Sequence, residues 1–409
     1  MTSIAKHAEQ GSTHSKPSVS LTLLVGLPLF TLLPLGLDIF LPAVYDIGAF
    51  FGNTDVPSFA ISIYMLFWGL GQLFWGGIAD KLGKKNIALI GLAIFALSSF
   101  AIANVGSSDS FEFLGLRALQ SFGGSACFTA IFALIRMRFE GENLNKAYSY
   151  LNGILAFVPV SAPLVGAYIV AHSSWFVLFE IMAVLGALSL VWISFMLPAE
   201  KADISSSVGT SKVSLVQGYL SVLANARFRT YLFFALIAQT LFIYLLTVAP
   251  MYLMGNLGMS QVAFGEMFMV IAIVFMVGSF LSPKINQMIN IQSLVKLSLV
   301  LIVAGGAMMF LMSSIAQWYS LIVPMVIIAF GCTMLLSSSP ANALAELKEN
   351  AGVASGLYTA TTFGMGAVIS ALVAKFVDSA DLSQVSLVYT LFALFALAVF
   401  FFNKSMKKN

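Results

Sequence analysis

In a chain of 409 residues, 59% are hydrophobic and 9% charged, and the mean hydropathy is +0.96; soluble domains carry roughly 25% charged residues. The net charge of +3 gives no reason to invoke nucleic acid. Apolar blocks of about 20 residues, enough to cross a bilayer, recur along the whole length. Composition therefore excludes a soluble domain and specifies an all-α membrane protein with many spans.

Residues 1–19 form a polar N-terminal tail, and the first apolar run lacks a small-residue cleavage site. Twelve candidate spans follow, at 20–45, 56–76, 86–104, 111–136, 147–171, 175–197, 230–254, 262–282, 293–313, 318–339, 351–376 and 384–403. Residues 198–229 separate the sixth from the seventh. They begin as a polar linker and continue with Val213, Val216, Tyr219, Leu220 and Leu223 at helical spacing, the pattern of an amphipathic helix on a membrane surface. The expected organisation is a six-helix bundle at 20–197, a second at 230–403 and a tail at 404–409. Cys127 and Cys332 fall in apolar runs of different halves and read as buried thiols.

Orientation follows from the basic residues. With the N-terminus cytoplasmic, 18 of the 20 Lys and Arg fall on inner loops and tails. The outer loops carry Asp46, Asp55, Asp109, Asp378 and Asp381 instead. Both termini are expected in the cytoplasm. Lys375, near the outer end of the eleventh span, can snorkel to the interface. Arg117 is deeper and needs a partner.

The connection after the second span reads Gly76-Gly77-Ile78-Ala79-Asp80-Lys81-Leu82-Gly83-Lys84-Lys85. Gly76 and Gly83 permit close backbone approach and a tight turn. Asp80 can sit against a helix N-terminus or a basic partner, and the lysines hold the loop at the membrane surface. The spacing Gly-x3-Asp-x2-Gly-Lys-Lys resembles the signature loop of the major facilitator superfamily, G-x-L-A-D-R-x-G-R-K. That resemblance implies two six-helix bundles around a central cavity open to each side in turn. The corresponding stretch of the second half, LSPKINQMINIQSL, keeps a lysine but not the glycines or the aspartate. The repeat is visible in hydropathy and not in motif.

Ionisable residues inside spans are functional candidates, because a lone charge in hydrocarbon costs several kcal/mol. Asp38, in the first span, is about eight residues from its outer end, or roughly 12 Å deep at 1.5 Å per residue. Arg117, in the fourth, is about 9 Å deep by the same rise. A carboxylate facing a guanidinium across a cavity suits a proton-coupled carrier. A permanent ion pair pinning the two helices is the alternative. Glu180 lies about 8 Å inside the sixth span by that rise and reads as an acid near a wet outer end. Glu112 and Glu266 are shallower and interfacial.

Around Arg117, Phe113 to Gly123 reads FLGLRALQSFG. It resembles the L-x3-R-x2-Q-G-x-G motif of proton-coupled facilitators in Arg117, Gln120 and Gly123, and departs from it at Phe113 and Ser121. In the fifth span, Ala162-Pro163-Leu164-Val165-Gly166-Ala167 resembles the antiporter motif G-P-x2-G-G in weakened form. Pro163 and Gly166 would bend and thin that helix against a neighbour. With Asp38 to Pro42 (D-x2-L-P), and with residues 337–347 and 350–367, the chain resembles the bicyclomycin- and chloramphenicol-resistance (Bcr/CflA) branch of drug:proton antiporters. Some related exporters carry a second acid two turns before the aspartate, where this chain has Phe30. A single carboxylate there favours one-proton coupling and puts export of divalent cations in doubt.

The implied function is proton-coupled export of small lipophilic compounds, including antibiotics, across a bacterial inner membrane. Partners are substrate, protons and bilayer; no cofactor or metal is expected beyond the proton gradient, and a monomer is. Thirty-six Phe and nineteen Met supply adaptable apolar surface. Tyr64, Asn152, Gln239, Tyr244 and Asn342 offer polar handles, each equally able to serve as helix–helix glue. A dedicated metabolite exporter or symporter on the same fold is the rival reading, disfavoured by the scarcity of intramembrane charge. An enzyme is not expected: no histidine lies inside a span, and no G-x4-G-K-[ST] loop for ATP is present.

Overall fold

A computed structural model describes residues 19–197, 215–347 and 351–403. The tail up to residue 18, linker residues 198–214 with Val213, and residues 404–409 lie outside the described residues, as do the side chains of Asp80, Lys81, Asn152 and Val216. All regular structure among the described residues is helical. Among the described residues, eleven helices are long and apolar enough to cross a membrane. The 32-residue helix between the fourth and sixth crossings supplies the return pass, with Phe157–His172 as its apolar part.

The first half comprises α1 (Val19–Asp38), α2 (Val44–Phe51), α3 (Asp55–Leu82), α4 (Lys84–Ile102), α5 (Ser110–Arg138), α6 (Gly141–His172) and α7 (Trp175–Met196). After α8 (Leu215–Ala224) come α9 (Ala226–Pro250), α10 (Gln261–Met288), α11 (Ile291–Met312), α12 (Tyr319–Leu344), α13 (Ala351–Thr359), α14 (Gly366–Phe376) and α15 (Leu382–Phe402). A π-helical turn at Ala360–Met365 joins α13 and α14 into one crossing, and another extends α9 through Met251–Asn256. Side-chain caps start four second-half helices: Asn225, Ser260, Asn290 and Asp381 accept from the amides of Phe228, Ala263, Ser293 and Ser383. Such caps are typically worth about 1 kcal/mol each.

The first span, expected over 20–45, is a broken helix. α1 stops at Asp38, turns at Ile39 and Phe40, makes a 3-10 turn at Leu41–Ala43 and resumes as α2. Pro42 has no N–H to give the Asp38 carbonyl, and it disfavours helical backbone at Leu41. The amide of Ile39 still closes on the Leu35 carbonyl at 3.0 Å. α2 ends at Gly52 in the left-handed region, φ 62°.

The expected loop at 76–85 is mostly helix. α3 runs through Leu82, α4 starts at Lys84, and Gly83 alone makes the turn, with φ 81°. The close approach expected at Gly76 is absent: a Cβ there would meet nothing within 4 Å. α3 instead approaches its neighbours higher up. A Cβ on Gly71 would collide with the Ser125 side chain of α5, and one on Gly69 would lie 3.0 Å from the Gly364 amide nitrogen.

That last contact joins the two halves. α3 packs on the crossing formed by α13 and α14, and α6 packs on α10. At the second seam a Cβ on Gly265 would lie 2.8 Å from Cβ of Ala167 and 3.2 Å from the Pro163 carbonyl oxygen. Small residues let both seams close without a polar network, as is usual between helices in lipid. Among the described residues one hydrogen bond crosses between the halves, from Gln261 Nε2 to Asp46 Oδ2 at 3.3 Å, on the predicted outer side.

α8 is the expected amphipathic segment, though its residues divide differently. Val222 is buried against the protein while Leu220 and Leu223 are exposed. Arg229 Nη1 donates to the Leu223 and Ala224 carbonyls at 2.8 and 3.3 Å, tying the end of α8 to α9.

Candidate functional site

The break in α1 puts the end of a helix inside the first bundle. The last carbonyls of a helix lack helical donors and carry the negative end of its dipole. Asp38 is the final residue of α1 and is 4% exposed. Arg117, in the second turn of α5, is 0% exposed. Its Nη1 donates to the Gly36 carbonyl at 3.0 Å and to Oε1 of Gln120. Gln120 Nε2 in turn donates to Ser99 Oγ on α4 at 2.8 Å and contacts the sulfur of Met182 on α7 at 3.6 Å.

Aromatic faces enclose the guanidinium. Its central carbon lies 4.3 Å from the ring centre of Tyr64, 4.5 Å from Phe40 and 5.6 Å from Phe179. Desolvated contacts of this kind are worth up to about 2 kcal/mol. Tyr64 is fixed by its hydroxyl, which donates to the Leu33 carbonyl at 2.8 Å, and it crosses α1 at Gly36, where any Cβ would strike that hydroxyl. Arg117 thus draws together α1, α3, α4, α5 and α7.

Asp38 and Arg117 are not joined as the permanent ion pair that was the alternative reading. Among the described residues no carboxylate lies within 4.0 Å of the guanidinium, and Nε and Nη2 have no hydrogen-bond partner. The physical reason is the helix end. The Gly36 carbonyl, released by the turn, offers the guanidinium partial negative charge. What the structure holds is a buried acid and a buried base around one helix terminus, each without a full counter-charge.

The other motif residues cluster around the same break. A Cβ on Gly166 would strike the Ile39 carbonyl oxygen, so α6 passes flush against the turn that follows Asp38. Pro163, one turn earlier, faces Gly265 of the second half. The weakened antiporter motif therefore sits between the Asp38 turn and the α6–α10 seam. Gly123 serves a different contact: a Cβ there would be 2.7 Å from the Gly91 carbonyl oxygen, on the α4–α5 crossing. At the signature stretch, Lys85 Nζ donates to the Ser194 carbonyl at 2.7 Å, near the C-terminal end of α7. Lys84 begins α4.

The polar handles proposed for substrate separate. Tyr64 is engaged with Arg117 and α1. Gln239 is buried on α9 and packs against Gly366 of α14. Tyr244 is buried with its hydroxyl unpaired, its ring 5.7 Å from that of Tyr389. Asn342 donates to the Ser338 carbonyl at 2.9 Å and accepts from Arg227 Nη2 at 3.3 Å, at the end of the second half that carries the termini. Glu180 is exposed on the same stripe of α7 as Val184, Leu188 and Val191 and does not face the Arg117 pocket; Phe179 does. Ser99, Met182, Phe40 and Phe179 were not anticipated. The serine pair Ser98-Ser99 inside an apolar span was the one signal available for them.

A model of the Major Facilitator Superfamily matches residues 27–371, from α1 into α14. The chain belongs to that superfamily. It is a multi-pass membrane transporter and not an enzyme. A multidrug resistance protein, MdtL, of Shewanella sp. (strain ANA-3) is 29% identical over 79% of this chain and 81% of its own length. A chloramphenicol resistance protein of Pseudomonas aeruginosa is 26% identical over 86% of this chain and 82% of its own. The resemblance read from the sequence is borne out in these drug-resistance relatives. Among solved structures, a D-xylose–proton symporter superposes with a TM-score of 0.73 at 12% identity, over 94% of this chain and 98% of that one. That likeness gives the facilitator fold, as the arrangement of spans implied.

Proposed function

We propose that this facilitator exports small, mostly lipophilic compounds, antibiotics among them, in exchange for protons. It works as a monomer in a bacterial inner membrane with both termini in the cytoplasm. The observation that carries the proposal is that two ionisable side chains are buried and not paired with each other: Asp38, the last residue of α1, and Arg117, bonded to the carbonyl of Gly36 at the same helix end. A carboxylate and a guanidinium at one helix end support each other's charge only when they meet. Small movements of α1 against α5 therefore decide whether the carboxylate holds a proton. The names of the relatives support the cargo.

The cycle follows. With the cavity facing out, Asp38 takes a proton and bound substrate leaves. After the halves rock, incoming substrate and the cytoplasmic side drive the proton off, and the freed carboxylate draws on the idle edge of Arg117. The seams at α3 and α6 provide the two-state element that alternating access requires. In the opposite state the stretch 76–85 latches the inner face through Asp80 and the lysines. The proton gradient is the energy source, and no cofactor takes part.

The test is proton flux in vesicles reconstituted with the native protein and with Asp38→Asn, on addition of chloramphenicol and other lipophilic drugs. Drug-triggered proton movement is expected in the native protein and absent in a folded Asp38→Asn. Active drug accumulation by Asp38→Asn would overturn the mechanism. A folded native protein that answers no drug would overturn the cargo.

A further inference from the structure

Five aromatic rings form a continuous cluster in the middle and terminal-side half of the membrane, where the two bundles meet. Phe30 of α1 stacks on Phe128 of α5 at 5.5 Å between centroids and 7° between planes. Phe132, one turn further along α5, is 4.9 Å from Phe128. Trp68 of α3 meets Phe128 edge-on at 5.9 Å. On its other side Trp68 stacks on Phe363 of the second half, at 5.0 Å and 23°. Phe128, Phe132 and Phe363 are only partly buried, although all lie well inside the spans.

Next to the rings is an unused donor. Gln72, one turn from Trp68 on α3, has its Oε1 3.2 Å from Thr129 Oγ1, a hydroxyl shared with the Ser125 carbonyl at 2.9 Å, while its buried Nε2 has no partner. A buried amide N–H left unpaired costs about 1–3 kcal/mol, which a ligand oxygen can return. No ionisable side chain belongs to the cluster. Asp38 lies eight residues beyond Phe30, roughly 12 Å along α1 at 1.5 Å per residue.

We propose that Trp68, Phe363, Phe128 and Gln72 form a binding site for uncharged aromatic compounds that carry a hydrogen-bond acceptor, and that such a compound binds by replacing the Trp68–Phe363 stack. This rests on the export reading and narrows its cargo. A charged ligand is disfavoured because no counter-charge is there to offset its desolvation. Trp68 and Phe363 now stack on each other, and a flat ring between them needs two carbon contacts of about 3.5 Å each, so their faces must move apart to roughly 7 Å. Because the rings belong to different halves, entry separates the halves beside the Gly69–Gly364 contact, and departure lets them close. Phe363 lies within the π-helical turn, a form of helix that concentrates at functional sites. Substrate occupancy is thereby linked to the seam that must open.

The test is equilibrium binding of radiolabelled chloramphenicol, an uncharged aromatic amide, to the purified full chain in nanodiscs without a proton gradient. Saturable binding is expected, with Kd raised about tenfold by Trp68→Leu and by Phe363→Leu. Gln72→Leu should raise it about fivefold. Trp68→Phe, which restores a ring, should stay within about threefold of native, and Phe111→Leu, on an exposed ring outside the cluster, should change nothing. Melting temperatures identify any variant that fails to fold, and Trp68→Phe keeps the comparison available if Trp68→Leu does. No saturable binding, or an unchanged Kd in folded Trp68→Leu and Phe363→Leu, would overturn the site. Because no gradient is present, this result is independent of proton flux: the site can fail while drug-driven proton movement persists, and the reverse.

Discussion

Arg117 is bonded to the carbonyl of Gly36, two residues ahead of Asp38, and not to the Asp38 carboxylate. A guanidinium presents a rigid fork that an ammonium cannot copy. Arg117→Lys should keep the charge but lose one of the two bonds, to Gly36 or Gln120, and slow proton-coupled transport several-fold. Arg117→Met strands the Gly36 carbonyl and Gln120 inside the bundle, a loss on the order of 2–4 kcal/mol of stability. It should also abolish coupling. Transport rates read beside melting curves check both, and a Met variant that pumps at the native rate would remove Arg117 from the mechanism.

Gly166 faces a backbone atom, the Ile39 carbonyl oxygen, and not a side chain that can turn away. A methyl group there must displace α6 from the turn after Asp38. Gly166→Ala is expected to cost about 1–3 kcal/mol, the range for overpacking, and to lower proton coupling more than Gly123→Ala does. Gly123 presses on α4 and not on the Asp38 turn. Equal effects of the two on coupling would detach the antiporter motif from the site.

The apolar spans and the buried charges were legible because they are written in residue type. Asp38 and Arg117 stood out as charges in apolar runs, and Gly83 as the turn. What could not be read depends on backbone atoms and on conformational state. The partner of Arg117 is a carbonyl, which every residue carries and no sequence advertises. Pro42 was read as part of a motif and its break was missed, since Pro28 and Pro34 lie within α1 without ending it. Gly76 meets nothing here, since a glycine that serves a close approach in one state can face open space in another. The aromatic cluster was hidden among thirty-six Phe, most of which match lipid or core equally well.

Glu346, just after α12, accepts from Asn225 Nδ2 at 3.0 Å and from Arg227 Nη1 at 3.3 Å. The Asn225 amide first, and Arg227 with it, hold its carboxyl below the ordinary value of 4.5. A lowered carboxyl in the folded state favours folding above the ordinary value, and the benefit disappears as pH falls through the lowered one. Native protein should therefore be slightly more stable than Glu346→Gln at pH 7, with the gap closing on acidification below about pH 4.5. Glu346 is exposed, so the gap is small. Melting curves from pH 3 to 7 would show it; a gap that widens towards pH 3 would rule out this origin.

The Gln261–Asp46 bond is the one hydrogen bond that crosses between the halves among the described residues. It joins the first turn of α10 to the first turn of α2. The neighbouring contacts, Tyr45 against Gly255 and Ala167 against Gly265, are apolar and can separate without leaving polar groups stranded. Gln261→Leu removes the polar link while keeping the bulk of the side chain. A hydrogen bond to a charged group is worth about 1.5–3 kcal/mol, less where water reaches it. The population open on the predicted outer side should therefore rise roughly five- to tenfold. Asp46→Asn keeps an acceptor and should shift it less. Distances between spin labels at the outer ends of α6 and α10 report the two populations directly, and an unchanged distribution in Gln261→Leu would show that the small-residue seams alone hold that side closed.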